Sequence, residues 1–249
     1  MHNRISTLLV CLTTAAFFAA TYRTQSQTLV EAGMPALSRA WSGKDYERAA
    51  EVISSGKVPL PILTDAEGRA FLKRITSTEN FSFALDTNLP IAVRLDDFSG
   101  SFMTGSKTIF MQYFKAANKG ANVHTETAMQ LSFMLRVAEV GIKLTDEFIP
   151  TIPKDDKYEI RLDGLKRMHS GMTTIFVGVE ASLSETSFYS PEDLSLLLQT
   201  MAEVLPSIKK AFPGGYEIEL RNKLKARRAA FPNEKDATNL RKMIEEIDS

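Results

Sequence analysis

The chain has 249 residues, with Lys and Arg together at 30 against Asp and Glu at 30, and 44% of its residues are hydrophobic. That balance excludes a dedicated nucleic-acid binder, which carries a basic excess. It also excludes an intrinsically disordered chain, which lacks the apolar surface to offset the entropy of ordering.

Residues 1–27 read as a signal peptide or an N-terminal anchor with a polar spacer. Arg4 precedes an apolar run over residues 5–20, and a polar stretch follows from Thr21. That layout belongs to secretory leaders. The expected address is secreted or periplasmic, with membrane anchorage and membrane contact through residues 5–20 as the alternative if the segment is not cleaved. Cys11, the single cysteine, falls inside this segment. The remaining chain therefore has no disulfide, no zinc-thiolate site and no thiol nucleophile.

Residues 28–249 read as a single helical domain, with N-terminal helices over 28–78, an irregular connection over 79–105 and a main bundle over 106–249. Thr28–Trp41 and Lys44–Ser55 have helical periodicity, and Gly56 closes the second. Thr64-Asp65-Ala66-Glu67 has the form of a capping box ahead of a helix through Ile75. Leu89-Pro90-Ile91-Ala92-Val93-Arg94-Leu95 predicts a short strand near 91–95, and Gly100 and Gly105 mark loops. Helices are then predicted over Ser106–Lys119 and His124–Phe148. Ser190 with Pro191 opens another, kinked at Pro206, and Asn233 caps a last one through Ile247.

The segment over 156–185 predicts the central helix. Leu165, Met168, Met172, Ile175 and Val179 form its apolar stripe, and Gly164, Gly171 and Gly178 recur every seven residues on the adjoining edge. Each glycine inside a helix costs about 0.5–1 kcal/mol relative to alanine. The expected return is close packing of a neighbouring helix along that edge. Met172–Val179 also fits a buried strand, but the length and the heptad regularity favour the helix. The fold expected is therefore mainly α, an irregular multi-helix bundle around a glycine-edged helix.

No catalytic set is found. Gly100-Ser101-Phe102-Met103-Thr104-Gly105-Ser106-Lys107 resembles a phosphate-binding loop over a few residues, but Ser106 displaces Lys107 by one position, a rotation of about 100° on a helix. His124 and His169 lack partners at metal-ligand spacing, so no metal and no cofactor are expected. Glu126, Glu139, Glu180 and Glu185 are the helix carboxylates that a hydrolase would have to bring together. Arg221, Lys225 and Arg228 share a helix face and form a basic interaction patch, with acidic residues on either side of it. Asn80-Phe81-Ser82 is a glycosylation tripeptide.

Ten methionines and fifteen phenylalanines suit either a core or an adaptable apolar groove. The function expected is that of a non-enzymatic binding protein for a protein partner or an apolar ligand. The alternative is a hydrolase with a carboxylate site. An accessible Met- and Phe-lined groove distinguishes the first from the second, which needs acids converging in a polar cleft.

Overall fold

A computed structural model describes residues 33–56 and 58–249. The leader or anchor, its apolar run and Cys11 lie outside the described residues, as does the start of the helix expected from Thr28. Residues 33–42 form turns instead of the rest of that helix. Arg39 there binds the Asp45 carboxylate (2.6 and 2.7 Å), which also accepts the Ser42 amide (2.8 Å) at the start of α1, Gly43–Ser54. The next helix, α2, is Ala66–Ile75. Its cap sits one residue later than expected, since the Asp65 carboxylate accepts from the Gly68 amide at 2.7 Å. A carboxylate there also complements the helix dipole.

The 79–105 segment departs most from expectation. Ile91–Asp97 is helical (α3), Phe98–Phe102 continues it through a π-helical turn, and α4 runs on without a break over Met103–Asn118. No strand forms among the described residues. Pro90 explains the start, because a residue without an N–H suits the point where helix amides are still unpaired. Leu95, Phe98, Phe102, Ile109 and Tyr113 are all buried along this helix, which sets its inward face. Gly105 is not a loop residue: a Cβ there would lie 2.7 Å from the Tyr46 backbone carbon, so the missing side chain lets α4 cross α1 closely.

Helix α5, His124–Phe148, occupies the centre. Phe133, Val137, Val140 and Leu144 face one apolar cluster, with Trp41, Tyr46, Phe71, Phe81, Phe98 and Tyr113. Leu131, Leu135, Ala138 and Ile142, on its other side, face a second cluster, with Phe176, Leu197, Met201, Leu220 and Met243. A helix apolar on both sides has to be buried on both. The remaining helices are α6 (Tyr158–Ser182), α7 (Pro191–Ile208), α8 (Tyr216–Arg227) and α9 (Glu234–Asp248). Ser190 and Asn233 cap α7 and α9 as expected, each accepting from the amide three residues on, at 3.1 and 2.8 Å.

Helix α6 forms where predicted but flanks the bundle, packing on α5 and only lightly on α7. The close-packing role expected of Gly164, Gly171 and Gly178 is corrected here, because a Cβ at any of the three would meet nothing within 4 Å. The stripe at Leu165, Met172 and Val179 is buried against α5, and the heptad glycines lie exposed on the edge beside it. Gly141 of α5 provides the close approach instead, since a side chain there would run into Met172 and Phe98.

Asn80 is likewise reassigned. It is 2% exposed, accepts from the Trp41 amide (2.7 Å), and donates to the Tyr46 hydroxyl (2.8 Å) and the Arg74 carbonyl (2.7 Å). Its side-chain nitrogen is fully used and shielded, so the folded chain does not present it as a glycan acceptor.

Candidate functional site: an apolar groove between α4, α5 and α6

Helices α4 and α6 both pack on α5 but make little contact with each other, which leaves a trough over α5. The trough has a volume of about 710 Å³. Phe110, Met111 and Phe114 line it from α4, Leu131 and Met134 from α5, and Met168, Met172 and Ile175 from α6. Phe114 is 39% exposed, with its ring 5.9 Å from that of Phe110. Gly171 and Gly178 open onto the trough, and among the described residues no side chain fills the space above them. The volume lies within the range of about 300–1,000 Å³ typical of small-molecule sites, and the mostly apolar lining is equally typical.

Two cations accompany these apolar groups, Lys107 on α4 and Arg167 on α6, and no carboxylate among the described residues lines the trough. Lys107 sits within helix α4 and not in a loop, and Ser106 donates to the Phe102 carbonyl at 2.8 Å. The resemblance to a phosphate-binding loop therefore ends, since the segment offers no cradle of free backbone amides.

The carboxylates singled out in the sequence are held apart by different partners. Glu126 is buried and accepts the Leu63 amide at 2.8 Å. Beside it the Tyr113 hydroxyl donates to the Pro61 carbonyl at 2.7 Å, and burial, with Glu126 nearby, raises its pKa. Glu139 binds Lys143 at 2.7 Å and the Ser207 hydroxyl at 3.2 Å. Glu185 is exposed.

Glu180 is 1% exposed and pairs with Arg227 at 2.8 Å and Lys223 at 3.0 Å, while Arg227 also donates to the Glu180 carbonyl. Burial, then the nearby Glu180, pushes the Tyr216 hydroxyl up to about 12. This cluster fastens α6 to α8. Buried at 1% exposure with a cation on each carboxylate oxygen, Glu180 is closed to a substrate from outside.

A separate polar hollow of about 830 Å³ between α7 and α9 contains Glu203 and Glu234 among Lys235, Lys242 and Asn239. Glu203 is tied to Arg136 and accepts from Gln199 at 2.9 Å. It does not form the free pair of acids that hydrolysis requires.

The three residues of the basic patch lie on or directly after α8. Arg221 is half-buried and bound to Asp248 at 2.8 Å, whereas Lys225 and Arg228 are exposed. His169 lies against the Thr145 hydroxyl and 3.5 Å from Asp146, and burial lowers its pKa. His124 packs edge-on against Phe188, ring centres 4.1 Å apart. Among the described residues no group of three or more His, Cys, Asp or Glu is placed to hold a metal ion, and no helix is long and apolar enough to cross a membrane.

Sequence reasoning identified Gly171, Gly178, Met172 and Lys107, but assigned them to other roles. The adjacency of α4 and α6 over α5 has no local sequence signal. Compared with protein-family models, with curated proteins and with solved structures, the chain matches none of them.

Proposed function

We propose that the protein is an exported, non-enzymatic binding protein whose trough between α4, α5 and α6 takes an apolar ligand. The observation that carries this reading is the open glycine edge of α6 facing methionine and phenylalanine side chains across a space that no described side chain fills. Helix glycines lower stability where they gain no contact, so an edge kept free of side chains makes sense as room for a ligand. Methionine adds adaptability, because its unbranched, polarizable side chain fits irregular apolar shapes. Export rests on the leader-like layout of residues 1–27.

Titration of the full chain with the neutral fluorophore N-phenyl-1-naphthylamine tests the binding reading. Saturable enhancement at one probe per chain is the expected result, and an absence of saturable binding overturns it. Sequencing the N-terminus of the mature protein tests export, with a start at Thr21 or Gln27 expected from the leader.

A further inference from the structure

The charges around the trough specify its ligand further. Between Asp97 and Glu126 the sequence has no acidic residue but has Lys107, Lys115 and Lys119. In a chain of zero formal net charge, this makes the outer face of α4 purely cationic. Lys107 lines both the trough and an adjoining hollow of about 460 Å³ that extends over α4 to Lys115, again without a carboxylate. Facing it, α6 has no charged residue from Ser170 to Val179, and Arg167 marks where charge resumes. Arg167 pairs with Asp163 at 3.0 Å, but both side chains are well exposed, and such surface pairs contribute little. Lys107 has no acidic partner among the described residues.

Shape narrows the occupant as well. The lining of α6 extends from Arg167 to Ser182, about 22 Å at 1.5 Å per residue. That matches the length of an extended long-chain acyl group.

Resting on the binding reading above, we infer that the ligand is a single anionic amphiphile, a long-chain carboxylate or its phosphorylated equivalent. Its tail lies along Gly171 and Gly178, and its head group is held by Lys107 and Arg167. The amphiphile is taken as a monomer from solution. A membrane surface is the competing source of the same chemistry, since cationic faces with exposed aromatics also adsorb to anionic bilayers.

The experiment displaces N-phenyl-1-naphthylamine from the full chain with palmitate, hexadecanol or hexadecyltrimethylammonium, each below its aggregation threshold. Palmitate is expected to displace the probe at a concentration at least tenfold lower than the other two. The double variant Lys107→Ala, Arg167→Ala should lose that preference to within about twofold, each displacement being read against the variant's own probe affinity. Both side chains are exposed, so the fold should tolerate the change, and circular dichroism verifies this. Equal displacement by palmitate and hexadecanol, or a preference that survives in the double variant, overturns the anionic assignment while the probe signal leaves the groove reading standing. Binding to phosphatidylglycerol vesicles with no displacement by monomeric palmitate overturns it in favour of a membrane surface. If neither the probe nor any of the three amphiphiles binds, the groove reading itself fails.

Discussion

At Gly171 two effects of one substitution can be separated. A leucine there meets open space and gains helix propensity, so Gly171→Leu is expected to stabilise the protein by up to about 1 kcal/mol. The same side chain projects into the trough, so affinity for N-phenyl-1-naphthylamine should fall at least severalfold. Urea denaturation and probe titration of one variant check both, and destabilisation would mean that something does pack on that edge. Glu180 gives the opposite case. Glu180→Gln leaves Arg227 and Lys223 facing a neutral group in a buried setting, and stability is expected to drop by roughly 2 kcal/mol. A catalytic acid replaced by its amide typically leaves stability unchanged or improved, so the sign separates the fastening role from a catalytic one.

Among the elements, those whose ends carry a capping side chain were legible in the sequence almost to the residue. Ser190 and Asn233 satisfy helix amides through their own side chains, and that chemistry is local. The α3–α4 helix was not legible. Its β-branched residues at 91 and 93 imitate a strand, and Gly100 and Gly105 imitate loop boundaries. What makes it helical is the burial of Leu95, Phe98 and Phe102 against distant parts of the chain, notably Phe81 and Phe133. The site was legible in its parts and not in its assembly: heptad glycines imply space, but only tertiary placement shows that the space stays open.

The α5–α6 contact also has a pH dependence. Burial, more than any neighbouring charge, lowers the pKa of His169 from its ordinary 6.5, Asp146 partly opposes this, and Lys210 adds to it. The unfolded chain therefore binds the proton more readily, and stability falls as pH drops from about 6.5 towards the folded value. Above that range His169 contributes no pH dependence. His169→Gln is expected to lose less melting temperature than the wild type between pH 7 and pH 5; an equal loss would assign the dependence to other groups.

For the whole molecule, two apolar clusters share α5 as their common wall. Disrupting either one exposes a face of α5, so the two should unfold together. Trp41, the single tryptophan, is 1% exposed in the first cluster, next to Tyr46 and Phe71. Its fluorescence reports that cluster alone, whereas far-ultraviolet circular dichroism reports every helix. Coincident urea transitions by the two probes are expected, which would make residues 28–249 one cooperative unit. Separated transitions would divide the bundle along α5.

The methionines around the trough bring a chemical vulnerability. Met103, Met111 and Met168 are half-buried at its surface, with Met134 and Met172 buried beneath. Thioethers at such positions react with peroxide to give sulfoxides, which replace a flexible apolar group by a polar, chiral one. With no cysteine beyond residue 11 to consume oxidant first, the half-buried sulfur atoms of the trough are more open to oxidation than the buried ones. Mild peroxide treatment should add oxygen to Met103, Met111 and Met168 before Met134 and Met172, as peptide mass spectrometry would show. Loss of the apolar lining should follow the first additions, and the affinity for N-phenyl-1-naphthylamine is expected to fall with them.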